Sequence, residues 1–269
     1  MRSRALAAAV CLILICAGRV CAQAPDTVLL EELTWTELRD LIGARSMTII
    51  VPVGGTEQNG PHMTLGKHNA RVKILAEKIA RALGNTLVAP VIAYVPEGWL
   101  SPATGHMRFP GTVTIPDETF QKVLEYAARS FKAHGFRDIV LLGDHGGTQA
   151  AQKAVAGRLN REWVAAPVRV HAIEEYYRAA DVEFPRVLRA RGYREDEVGS
   201  HAGLADTSLM LAVDPRMVRS DRLRPVLGPQ GASGVSGDPT RASAELGQIG
   251  VEMIVSRTAE AIRRSTARP

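Results

Sequence analysis

Four times along this chain a short apolar run gives way to a stretch with apolar residues at helical spacing, and no other feature narrows the fold as much. Met47-Thr-Ile-Ile-Val-Pro-Val53 is rich in β-branched residues and ends in Gly54-Gly55, the pattern of a buried strand feeding a loop. Residues 86–93, 138–143 and 168–172 repeat that pattern. Helical spacing is expected over 35–42, 69–83, 117–135 and 150–163, with Gly84 closing the second of these. Such alternation predicts an α/β fold with a parallel sheet and helices on both faces. A Pro-, Gly- and Ser-rich stretch, 225–240, reads as a long loop before a final helix at about 241–264. No linker divides the chain, so residues 25–269 are expected to form a single domain.

The beginning of the chain reads differently. A basic start, Met1-Arg-Ser-Arg4, precedes a short apolar run to Gly18 and small residues at Ala22 and Ala24. This is the pattern of a cleaved signal peptide over 1–24, too short in its apolar part to span a bilayer comfortably. The expected location is secreted or periplasmic. Removal takes away Arg2, Arg4 and Arg19 and no acid, so the net charge falls from +5 to +2. Cys11, Cys16 and Cys21 leave as well, and the remainder has no thiol, disulfide or Cys-based site. That composition fits an oxidising compartment. The charge is not gathered into clusters interleaved with aromatics, so no nucleic-acid partner is expected, nor a membrane partner after cleavage.

In parallel α/β sheets, ligands bind beyond the carboxyl ends of the strands. Polar residues gather there: Glu57, Asn59, His62 and His68 after the first strand, Glu97 and His106 after the second, Asp144 and His145 after the third. There is no Gly-x-Ser-x-Gly elbow, Walker-type phosphate loop or dinucleotide G-x-G-x-x-G. His134 reads as surface and His171 as strand-end structure.

Five segments, in order, are similar to the creatininase family of metal-dependent amidohydrolases. Gly54-Gly-Thr-Glu-Gln-Asn-Gly-Pro-His62 and the residues up to His68 resemble the first motif, E-x-H-G-x-H-L-x-x-x-x-D. Phe109-Pro-Gly-Thr112 fits a segment between the first and second motifs. Leu141-Leu-Gly-Asp-His-Gly-Gly-Thr148 resembles N-G-H-G-G-N, and Ser200-His-Ala-Gly-Leu-Ala-Asp-Thr-Ser208 resembles H-A-G-x-x-E-T-S. Gly237-Asp-Pro-Thr-Arg-Ala-Ser243 resembles a late G-D-P-x-x-A-[ST] segment.

The resemblance implies a three-layer α/β/α sandwich, a homo-oligomer (a hexamer in the family), and hydrolysis of a C–N bond in a small, possibly cyclic, amide. It also implies Glu57, His68, His145 and Asp206 as metal-ligand positions and His201 and Asp206 as catalytic groups. The departures are Asn59 for a ligand His, His68 for a bridging Asp, and Asp206 for a Glu. One imidazole nitrogen binds one metal, and a neutral amide suits zinc poorly. One divalent ion is therefore expected rather than two, with zinc first and Mn2+ or Fe2+ as alternatives. His62 is expected to shape its loop and Asp144 to orient His145. Because these ligands have changed, a non-catalytic binding or assembly protein on the same fold is the competing reading.

Overall fold

A computed structural model describes residues 26–44, 47–225 and 232–267; the expected signal segment 1–24 lies outside them. Four parallel strands form the sheet: β1 (Thr48–Val53), β2 (Thr86–Val88), β3 (Asp138–Gly143) and β4 (Arg169–Ala172). Their spatial order is β2-β1-β3-β4. Every residue of β1 and β3 is buried, as expected for strands covered on both faces.

The period-two alternation of these strands sorts their side chains into two cores. Ile49, Val51, Ile139 and Leu141 pack on one face with Phe120 and Leu124 of α3 (Asp117–Ala133) and Val155 and Leu159 of α4 (Gln149–Glu162). The amphipathic α1 (Trp35–Ala44) adds Leu38 and Ile42 to the rim of that core. Ile50, Val140 and Leu142 point the other way. They meet Val72, Leu75 and Ile79 of α2 (Lys67–Leu83), Leu204 and Leu209 of α8 (Leu204–Val213), and Ile254 and Ile262 of α9 (Ala244–Thr266). The result is the three-layer α/β/α sandwich.

Short helices α5 (Glu174–Arg178), α6 (Phe184–Ala190) and α7 (Glu195–Val198) link β4 to α8, and sequence periodicity did not resolve them. A five-residue π turn, Ala179–Glu183, joins α5 to α6. The second strand is shorter than expected. It ends at Val88 because Pro90 cannot donate to the ladder, although Ile92 still donates to the Pro52 carbonyl (2.9 Å). Among the described residues no helix is long and apolar enough to cross a membrane.

The connectivity places the site. From β1 the chain moves to β2 on one side, then to β3 on the other, so the carboxyl ends of β1 and β3 flank a topological switch point.

Candidate metal centre

Glu57 leaves the end of β1 through Gly54-Gly55 and is fully buried. Its loop is pinned from two sides. Gln58 N donates to Thr112 Oγ1 (3.1 Å), so the Phe109–Thr112 segment backs the Glu57 turn. Asn59 Nδ2 donates to the Glu57 and Thr64 carbonyls (2.9 and 3.2 Å), which is a loop-bracing role. Gly60, at φ +67°, takes a left-handed conformation that a side chain would strain.

The two oxygens of Glu57 face different surroundings. Oε2 lies 3.1 Å from His106 Nε2 and 3.4 Å from His145 Nε2. Oε1 lies 2.7 Å from His68 Nε2 and 3.9 Å from Lys67 Nζ. Glu97, from the loop after β2, brings its Oε2 to 3.3 Å from His145 Nε2. One donor atom each from Glu57, Glu97, His106 and His145 can be chosen so that all lie within 4.8 Å of one another. Gly147 permits this approach, since a Cβ there would sit 2.9 Å from His145 Cε1.

Polar atoms in this group lack partners. Glu57 Oε2, both carboxylate oxygens of Glu97 and His145 Nδ1 are buried and without a hydrogen bond. Buried polar atoms are normally satisfied, and two buried carboxylates facing each other need a cation or a proton between them. Burial, and after it the charge of Glu57, pushes the Glu97 carboxyl up to about 9. Burial also raises Glu57, but the His145 and His68 imidazoles outweigh it and hold that carboxyl below its ordinary range. Two carboxylates and two imidazoles are donors that zinc, manganese and ferrous iron all accept. The residues present therefore fit a divalent cation.

A second cluster lies beside the first. Lys67 and Arg71, one helical turn apart at the start of α2, share a face with the adjacent His68. Lys67 Nζ donates to Asp206 Oδ2 (2.9 Å), and Arg71 Nη1 donates to Asp206 Oδ1 (2.7 Å). Arg71 also grips Asp144 through Nε and Nη2 (2.7–3.0 Å), and the Tyr176 hydroxyl donates to Asp144 Oδ2 (2.6 Å). His68 Nδ1 contacts the same Asp144. Burial opposes ionisation of Asp206, yet Lys67 and Arg71 hold its carboxyl well below the usual range.

Sequence reasoning placed the metal on Glu57, His68, His145 and Asp206. Glu57 and His145 fall in the converging set, whereas His68 and Asp206 do not. The reason is physical. Both nitrogens of His68 are occupied by carboxylates, and both oxygens of Asp206 by cations. Glu97 and His106 complete the converging set. Both lie on the long loop between β2 and α3, outside the motif stretches that suggested ligands. Asp144, expected to orient His145, instead serves Arg71, His68 and Tyr176.

His201 precedes α8 and lies beside His106, with ring centroids 4.5 Å apart. Its Nε2 is 3.0 Å from the Gln58 carbonyl oxygen and 3.2 Å from Gln58 Nε2, and Nδ1 lies 3.8 Å from Glu57 Oε1. Burial, then Lys67, lowers this imidazole to about 3, so it stays neutral. The residue that follows, Ala202, has φ +55°, a strained value for a residue with a Cβ. Its N–H donates to Asp206 Oδ2 (3.0 Å). The His201 turn is tied to Ser236 by a two-way backbone pair (Ser236 N to His201 O, 2.8 Å; His201 N to Ser236 O, 3.1 Å). His62 Nε2 meets Thr207 Oγ1 at 3.0 Å, away from the converging donors.

Glu57, His106, His145, Tyr177, His201 and Asp206 border a cavity of about 230 Å³. A larger one, about 370 Å³, lies beside His62 and Arg222 and holds no converging donors among the described residues.

The family model "Creatininase: Creatinine amidohydrolase" matches residues 31–262. A creatinine amidohydrolase of Pseudomonas putida is 28% identical over 258 residues, 88% of this chain and 96% of its own. A mycofactocin precursor peptide peptidase of Mycobacterium tuberculosis is 29% identical over 228 residues, 76% of this chain and 79% of its own. Among solved structures, a mutant creatininase of Zn–Zn type superposes with a TM-score of 0.75 at 26% identity, covering 91% of this chain and 100% of that one. A manganese creatininase gives 0.73 at 26% identity, covering 90% and 100%.

Proposed function

The chain belongs to the creatininase family, and from that premise we propose that it is a metal-dependent amidohydrolase acting on a C–N bond of a small, possibly cyclic, amide. The observation that carries the reading is the convergence of Glu57, Glu97, His106 and His145, among which Glu57 Oε2, both Glu97 oxygens and His145 Nδ1 are buried without a hydrogen bond. We propose these four as holders of one divalent ion, zinc first, manganese or ferrous iron otherwise. When bound, such an ion supplies a water of lowered pKa and polarises the amide carbonyl. The rest is done by the chain. In the tautomer that donates from Nε2 to the Gln58 carbonyl, His201 turns an unprotonated Nδ1 toward the cavity, where it orients the attacking water and relays its proton to the leaving nitrogen without holding it, since its imidazole is lowered to about 3. Asp206, clamped between Lys67 and Arg71, positions those cations and does not carry protons. The 230 Å³ cavity suits a small substrate.

The test is metal analysis after anaerobic reconstitution, with hydrolysis of a panel of cyclic and N-substituted amides. One ion per chain, lost together with activity in Glu57→Ala, is expected. A protein that takes up no zinc, manganese or iron refutes the reading and favours the binding or assembly role.

The proposal extends to location and assembly. Residues 1–24 are a signal, and 25–269 act as one domain in the periplasm or medium. A homo-oligomer, a hexamer by resemblance, is supported by exposed Tyr94, Trp99 and Leu100 on the loop that carries Glu97 and His106. Sedimentation of the mature chain tests it; a monomer at micromolar concentration overturns it.

A further inference from the structure

We propose that the Lys67 ammonium, backed by Arg71, is a built-in cation that stands where a second metal ion would need its carboxylates, and so restricts this site to one ion. The inference rests on the single-ion reading above and goes beyond it by naming what excludes the second ion.

The carboxylates available beside the first site are Glu57 Oε1 and the two oxygens of Asp206. All three face fixed positive or donor groups. Lys67 Nζ lies 2.9 Å from Asp206 Oδ2 and 3.9 Å from Glu57 Oε1. Arg71 Nη1 holds Asp206 Oδ1 at 2.7 Å, and Ala202 N donates to Asp206 Oδ2 at 3.0 Å. Two more acids border the cavity: Asp144 already receives Arg71, Tyr176 and His68, and Asp181 is engaged by Tyr177. Lys67 is 1% exposed and Arg71 3%. Charges this deep are screened little, and a buried charge persists only when it is paired. A dication entering between Glu57 and Asp206 would meet an ammonium and a guanidinium that have nowhere else to go.

Helix geometry fixes the cations in place. Lys67 and Arg71 are four residues apart, so both project from one face of α2 toward the site. The outcome is a division of Glu57: Oε2 is left for the metal donors His106 and His145, while Oε1 is neutralised from the protein side. Lys67 is a positioning residue in this scheme.

The experiment is zinc stoichiometry by elemental analysis and calorimetric titration, with anomalous scattering to locate each ion, on the parent, Lys67→Met and Lys67→Arg. The parent is expected to hold one ion, on Glu57, Glu97, His106 and His145, even in excess zinc. Lys67→Met, similar in length but uncharged, is expected to rise toward two ions, the second touching Asp206. Lys67→Arg restores the charge and should remain at one. Two ions in the parent, one of them on Asp206 or Glu57 Oε1, overturn the inference while leaving the metal reading intact. A folded Lys67→Met that still takes one ion also overturns it. If the parent binds none, the metal reading falls, and Lys67→Met then decides the inference alone: an ion gained at Asp206 keeps it, none refutes it. Should Lys67→Met fail to fold, ion positions in the parent and in Lys67→Arg decide the matter.

Discussion

Replacing Glu97 by Gln should act in opposite directions on the metal-free and metal-loaded protein. Without metal, burial and the Glu57 charge raise the Glu97 carboxyl from 4.5 to about 9. The native state then holds a proton that the unfolded chain releases above about 4.5. The sign follows: stability from this group is fully present below 4.5 and is lost as pH rises toward 9. The whole span corresponds to at most about 6 kcal/mol, and a little over half of it is gone by neutral pH. Gln has nearly the same shape and no charge to develop, so Glu97→Gln should abolish this slope and stabilise the chelated protein at alkaline pH. With metal the effect reverses, because a ligand has been removed. Loss of an outer-shell partner alone typically costs about 10–100-fold in affinity, so removing a coordinating carboxylate should cost at least that. A ligand at 1,000 times its Kd stabilises by about 4 kcal/mol, and the variant should forfeit part of this at fixed zinc. The assay is denaturant unfolding of parent and variant between pH 5 and 9, each with chelator and with excess zinc. The reasoning is refuted if Glu97→Gln keeps the parent's zinc affinity and its alkaline loss of stability.

Three further outcomes are expected. Asp206→Asn leaves Lys67 and Arg71 buried without their shared anion, which should cost about 3–5 kcal/mol in chemical unfolding, while zinc affinity stays within about tenfold of the parent; a large loss of zinc with little loss of stability would make Asp206 a ligand after all. His201→Asn should keep the ion but lower turnover by about 10²–10⁴-fold, measured as kcat on any amide that the parent hydrolyses; unchanged kcat removes His201 from the chemistry. Protein recovered from the periplasm or medium should lack residues 1–24 by intact mass and ignore thiol reagents; a retained Met1 counts against export.

The layers of this fold were legible because they rest on local periodicities. A buried strand such as β3 shows as a continuous apolar run, and α2 or α3 shows its core face every three to four residues. β2 was overread because its apolar run continues past Pro90, whose missing N–H leaves no trace in hydropathy. The short helices between β4 and α8 carry too few turns for periodicity to register. The site divides along a similar line. Glu57 and His145 were named as ligand positions on their motif matches, and both fall in the converging set beside the switch point. Glu97 and His106 lie on an irregular loop whose path depends on long-range ties such as Val113 N to Thr56 O (2.9 Å) and Gln58 N to Thr112 Oγ1 (3.1 Å). Nothing local to residues 94–114 announces those ties. His68 and Asp206 fall outside the converging set for a related reason. Motif position predicts where a side chain sits, and both sit beside the site as expected. Whether such a side chain is free to bind depends on its partners, and Lys67, Arg71 and Asp144 converge on these two from separate parts of the chain. A ligand set is therefore a property of which acids remain unpaired after folding, and that follows only from the three-dimensional charge arrangement.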